Sequence, residues 1–307
     1  MSWLAWRLHG SKIRFAAVVA ALALALVVSS RIVLASGASR DLKVWAALPL
    51  FQVLLLVIAG PALLGMFLGA PLVATEVESG LHRLAWAQSV SRRRWLLVHI
   101  GHVLGSAVVL MAIVGAAMYW GLQPTDLGSA VSSQASVPLQ PTFFDGVAIA
   151  PAAYGAFAVA LGAALGALTR RTLLAMLLVL LLFTAVRVGI AAGARPNFER
   201  PLRAVAPMSA VRITGKGSEF SPSGQSVPAG AYIVDRKVLD SSGREVQIGV
   251  DEVNCGQAAK CGSYRVATDY QPADRFWTFQ LVEAGIYLAL TAILVSLTCW
   301  QVVRTLT

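Results

Sequence analysis

Six long apolar runs, near residues 13–34, 44–74, 95–120, 146–168, 172–194 and 276–303, restrict the folds open to this chain more than any other feature. A hydrocarbon core of roughly 30 Å is crossed by about 20 residues of helix. Inside it every backbone N–H and C=O must be satisfied within the protein, which leaves helices as the solution for runs of this length. The sequence therefore predicts an all-α polytopic membrane protein. Six transmembrane helices are expected, with a small β-containing extracytoplasmic domain between the fifth and sixth. Of the 307 residues 57% are hydrophobic and 13% charged, far from a soluble average. The net charge of +10 would suggest nucleic acid in a soluble chain. Here the bases flank the apolar runs, where they orient the protein and meet anionic membrane lipid, so no nucleic-acid partner is expected.

The second run is too long for one straight span and holds Gly60 and Pro61 in its middle, which predicts a kink or a tilted helix. Before the first run, Trp3, Leu4, Trp6 and Leu8 alternate with Arg7 and His9, a pattern suited to an interfacial helix. Lys12 and Arg14 ahead of an alanine- and leucine-rich run also resemble a secretory signal. Five further spans follow, so retention of the segment is the expectation and cleavage the alternative. Arg7, Lys12, Arg14, Arg83, Arg92, Arg93, Arg94, Arg170, Arg171 and Arg304 fall on one side, against Arg31, Arg40 and Lys43 in short loops on the other. That asymmetry places both termini in the cytoplasm. The chain then divides into residues 1–194 with five spans, an extracytoplasmic segment 195–275, and residues 276–307 with the sixth span and a cytoplasmic tail.

Between the second and third runs lies a charged and aromatic island, residues 75–95. Glu76 and Glu78 come first, and Arg92, Arg93 and Arg94 come last, which complements a helix dipole at both ends. Leu81, Leu84 and Ala85 share one helical face, with Gln88 beside them. Two readings follow: a basic connector that only fixes topology, or a coupling helix pushed by a soluble motor.

The segment 195–275 shifts abruptly to Pro, Ser, Gly and charge. Residues 231–239, a turn at 241–243 and residues 244–250 read as a β-hairpin. Cys255 and Cys261 lie in a loop on the oxidising face, where a disulfide is expected, with two thiols or half of a metal site as alternatives. Arg187 and Glu283 sit about eight residues from the outer ends of the fifth and sixth runs, roughly 12 Å deep at 1.5 Å per residue. Unpaired charges are costly there, so a mutual ion pair is the economical expectation, with snorkelling of Arg187 as the alternative. His99 and His102 share a helix face without a nearby carboxylate or thiol, so no metal site is expected. Gly65/Gly69, Gly101/Gly105 and Gly162/Gly166 have the spacing of close helix contacts, a weak signal in a chain so rich in Ala and Gly. No HExxH, nucleophile elbow or phosphate-binding loop is present, so no catalytic residues are assigned and any energy must come from a partner or a gradient.

The stretch GAPLVATE at 69–76, followed by Glu78, Gly80, RLAWAQSV at 83–90 and RRRW at 92–95, resembles the membrane subunits of bacterial ATP-binding-cassette (ABC) exporters of the second class, the ABC-2-type permeases. Phe144 and Asp145 with Pro151, Tyr154, Phe157, Leu161, Gly162 and Gly166 extend the resemblance. So do residues 270–277 with Phe279, Gln280, Glu283 and Gly285. It implies an export permease without its own ATPase site in a bacterial plasma membrane, assembled with a second copy or a related permease. The separate ABC ATPase subunit would bind ATP and Mg, and this chain no cofactor. Glu76, Glu78, Gly80, Arg83, Leu84, Arg92, Arg93 and Arg94 would form the coupling surface. Leu81 and His99 depart from the residues usual at those places. The alternative is a non-transporting sensor or scaffold with a ligand-binding extracytoplasmic domain.

Overall fold

A computed structural model describes residues 2–78, 92–123, 137–207, 227–246 and 264–305. Helix α1 (Ser2–Ala35) is followed by α2 (Arg40–Leu64), a π turn (Gly65–Gly69) and α3 (Ala70–Glu78). Next come α4 (Arg92–Gly121), the short α5 (Pro141–Gly146), α6 (Ala150–Thr169) and α7 (Thr172–Gly189), which ends in a second π turn (Ile190–Ala194) and a 3-10 turn (Arg195–Asn197). Strands β1 (Leu202–Pro207), β2 (Tyr232–Leu239) and β3 (Arg265–Gln271) precede α8 (Phe276–Thr305). Among the described residues six helical stretches are long and apolar enough to cross a membrane: Gly10–Ala35, Arg40–Thr75, Leu96–Gly121, Ala150–Thr169, Thr172–Asn197 and Ala273–Val302. The interfacial segment and the first span form one unbroken helix, α1. In the second span the helix runs through Pro49 and Pro61, and its irregularity falls just after the expected site, in the π turn at Gly65–Gly69. Proline removes a backbone donor from the ladder, and a π turn is one way a helix absorbs a local mismatch in register.

Helix α6 is the hub. It packs against α2, α3, α4, α7 and α8 and is buried along most of its length. Its small residues make this possible. A Cβ at Gly65 would stand 2.6 Å from the carbonyl oxygen of Ala158, and one at Gly69 would stand 2.6 Å from that of Val159. On α6 a Cβ at Gly162 would collide with Gly65 and Ala70, and one at Gly166 with the Ala70 carbonyl. Two of the three glycine pairs therefore pack against each other, backbone to backbone, whereas Gly101 and Gly105 meet nothing within 4 Å. Helix α6 ends at Arg170 in the left-handed region (φ 53°), whose N–H donates to the Gly166 carbonyl, and α7 starts two residues later.

The strands form an antiparallel sheet in the order β1-β3-β2. The expected hairpin is present as far as it is described: the Asp240 N–H donates to the Arg244 carbonyl, the Val246 N–H to the Val238 carbonyl, and Gly243 takes φ 82° in the turn. Residues 247–250, Cys255 and Cys261 lie outside the described residues, so the disulfide expectation does too. The central strand β3, which the sequence reading did not single out, carries Asp269 opposite Arg203 of β1, with bonds of 2.7 and 2.8 Å. At its end the buried Gln271 donates to the carbonyls of Pro196 and Glu199, and Arg275 pairs with Glu199 at 2.7 Å. These bonds tie the sheet to the ends of the fifth and sixth spans.

Candidate functional site

Between α5 and α6 the chain makes an elbow inside the protein. Ala148 there has φ 60°, a conformation an L residue adopts only when its surroundings hold it. Irregular backbone within a membrane protein has to find partners in the protein, and two neighbouring spans supply them. The Ala148 N–H donates to the Gly115 carbonyl of α4, where a side chain at Gly115 would collide with the Ala148 oxygen. From α8 the fully buried Gln280 accepts from the Ala150 N–H at 2.9 Å and donates to the Phe144 carbonyl at 3.0 Å. This clasp fixes the end of α5 and points Asp145 inward.

Four charged side chains and a phenol meet there. Asp145, Arg187, Arg195 and Glu283 are exposed by only 7%, 8%, 4% and 0%. Arg195 donates from Nε to Glu283 Oε2 at 2.7 Å and from Nη2 to Glu283 Oε1 at 2.8 Å, a bidentate pair, and also bonds Asp145. The Tyr154 hydroxyl donates to Glu283 at 2.6 Å and lies 3.3 Å from Asp145. Arg187 Nη2 stands 3.1 Å from Asp145 Oδ2, outside hydrogen-bond alignment, while its guanidinium lies 4.1 Å over the Tyr154 ring. Arg195 lies over Phe144 in the same way, at 4.3 Å. Two guanidinium groups thus balance two carboxylates. Each buried ion costs several kcal/mol in desolvation, so such a cluster persists only when its members are mutually paired.

The direct Arg187–Glu283 pair expected from sequence is corrected. Glu283 is held by Arg195, and Arg187 is paired with Asp145, with Tyr154 joining the two halves. Depth in the apolar runs singles out Arg187 and Glu283 but not their partners, because Arg195 falls in the segment 195–275 and Asp145 one residue before the fourth run. The π turn at Ile190–Ala194 adds one residue to its turn, so Arg187 and Arg195, eight apart, are disposed like residues seven apart and share a face. A count at 3.6 residues per turn does not register this.

The connector after the second span is described only at its ends. Gly80, Arg83 and Leu84 lie outside the described residues, and of Glu76, Arg92 and Arg93 the backbone alone is described, in α3 and α4. Arg94 is exposed. Glu78, the last residue of α3, reaches across to the first residue of α7. Its carboxylate accepts the Thr172 N–H at 2.9 Å and the Thr172 hydroxyl at 2.6 Å. An acid at a helix N-terminus meets unsatisfied N–H groups and the positive end of the dipole. These bonds, the hydroxyl's first, hold the Glu78 carboxyl below its ordinary value. The link is exposed, in contrast to the buried cluster.

Among the described residues, six helices long and apolar enough to cross a membrane, one of them a small-residue hub packed against four of the others, define a multi-pass membrane protein. A family model described as ABC-2 membrane transporter related matches residues 15–195. The chain belongs to that family, a class of membrane transport components that in general act with an ABC ATPase. The match takes in Asp145, Tyr154, Arg187 and Arg195 and stops before Glu283. Comparisons with curated proteins and with solved structures gave no match.

Proposed function

We propose that this chain is the permease subunit of an ATP-driven ABC exporter, forming the transmembrane path and coupled through residues 76–94 to a separate ATPase subunit. The observation that carries the reading is the Glu78–Thr172 contact. Two exposed hydrogen bonds join the connector to the N-terminus of the fifth span and can be made or broken, so the position of the connector sets the constraint on that N-terminus. A motor that grips the connector differently in its ATP-bound and ATP-free states would therefore shift α7 as well as α3. The small-residue contact of the second span with α6 brings the two backbones close together, so a shift of one is felt by the other. Two copies, or one copy and a related permease, complete the path, and ATP and Mg bind on the partner. The basic residues around the connector and Arg170, Arg171 and Arg304 support a cytoplasmic location for this face and both termini.

The test is co-expression with candidate ABC ATPase subunits of the same genome, purification in nanodiscs, and hydrolysis measured with and without candidate cargo. Association is expected with the wild-type chain. Glu78→Lys is expected to leave insertion and folding intact and to abolish cargo stimulation. Failure of any ATPase to associate, or a variant that hydrolyses like the wild type, contradicts the proposal. Orientation is checked separately: a thiol introduced at Ser89 should resist an impermeant reagent in intact cells and react after lysis.

A further inference from the structure

A second feature, independent of the ATPase reading, lies between α1 and the second span. Helices α1 and α2 part over the half of the membrane next to the N-terminal end of α1, leaving a cavity of about 600 Å³ floored by α4 and closed at one side by Met176 of α7. It exists because the facing residues are small. Ala16, Ala20 and Ala23 line it from α1 and Gly60 from α2, where Leu or Phe would fill it. Phe15, Leu63 and Phe67 stand exposed at its rim, so it opens sideways toward hydrocarbon. The lining is apolar except at one end, where Ser11 and the exposed Lys12 stand. From Lys12 to Ala23 α1 rises about 16 Å at 1.5 Å per residue. That is close to half of a roughly 30 Å hydrocarbon core, the depth of one leaflet. Among the described residues no carboxylate lines the cavity, so none of them opposes an anion beside Lys12.

We infer that this groove is a binding site for one acyl chain of an anionic phospholipid, with the lipid phosphate at Lys12 and Ser11. Its volume falls within the range of small-ligand sites. Its single charge lies at the membrane boundary, where a basic residue attracts an anionic headgroup. The charge gives the headgroup preference, and the alanine and glycine walls give the chain its slot.

The full chain, purified in detergent, is mixed with phosphatidylglycerol or phosphatidylcholine, and retained lipid is counted by native mass spectrometry. The wild type should retain phosphatidylglycerol about five-fold better than phosphatidylcholine. Lys12→Glu should abolish that preference and Lys12→Arg should keep it. Ala16→Trp, which fills the groove, should reduce retention of both lipids, and Val19→Phe does the same at the neighbouring turn if the first variant does not fold. No headgroup preference in the wild type overturns the inference. So does unchanged lipid retention in the filled variants, and so does loss of self-association in them without loss of lipid, which would mean that a second copy of the chain occupies the groove.

Discussion

Two of the polar ties between distant spans are built in opposite ways. In the buried cluster four charges and a phenol are almost fully removed from solvent, and each carboxylate has more than one partner. At the other membrane boundary, Glu78 and Thr172 make two hydrogen bonds in the open. A buried charge cannot leave its partner without exposing both to low dielectric, so the cluster holds α5, α6, α7 and α8 in one arrangement. An exposed carboxylate exchanges its partner for water at little cost, so the Glu78 link can open and close. The molecule thus has a fixed end and a yielding end, which is what the proposed coupling through the connector would require.

The largest effect is expected at the fixed end. Arg195→Met leaves Glu283 buried without its bidentate partner and should destabilise the protein by about 3–5 kcal/mol. Thermal unfolding in detergent measures it. Adding Glu283→Gln should recover part of the loss, with an interaction energy of about 0.5–3 kcal/mol, whereas Arg187→Met with Glu283→Gln should show weaker coupling because those two are not directly paired. Additive behaviour of Arg195 and Glu283 would break the contrast between the two ends. Next is Gln280→Leu, which orphans the Ala150 N–H and the Phe144 carbonyl at the elbow and should cost about 1–3 kcal/mol for each buried group. Hydrogen exchange at Ala150 should be slow in the wild type and faster in the variant.

How much of this was legible in the sequence differs between the two ends for physical reasons. Spans are long-period hydrophobic signals, and all six were readable. Arg187 and Glu283 stood out because a charge in an apolar run is costly. Asp145 and Arg195 did not, since the first sits on a six-residue helix next to polar loop sequence and the second beyond a π turn that alters the phase of the helix. The glycine pairs at 65/69 and 162/166 were visible, but their pairing with each other is a tertiary fact that spacing cannot supply. Glu78 was singled out as part of an acidic entry, while its contact with Thr172, 94 residues away, was not inferable from local pattern.

The smallest effect on stability is expected at the yielding end. Glu78→Gln preserves an acceptor for the Thr172 N–H and should hardly change thermal unfolding. Its signature is in pH. Because the folded-state Glu78 carboxyl is held below its ordinary value, the link has its full charge-assisted strength at neutral pH and above, and weakens only as pH falls through that lowered value. Hydrolysis by the assembled complex should lose its cargo response over that acidic window in the wild type, and Glu78→Gln should flatten that part of the profile.

The most direct test is a cysteine pair at Glu78 and Thr172 in a chain whose native cysteines are replaced, assembled with its ATPase. Crosslinking yield is measured with the ATPase empty and with ATP bound but not hydrolysed, and cargo-stimulated hydrolysis is then measured on the crosslinked complex. A yield that drops on ATP binding, with cargo stimulation abolished once the two residues are locked together, is the predicted result. Equal yields in both states, with undiminished stimulation after crosslinking, would contradict the account.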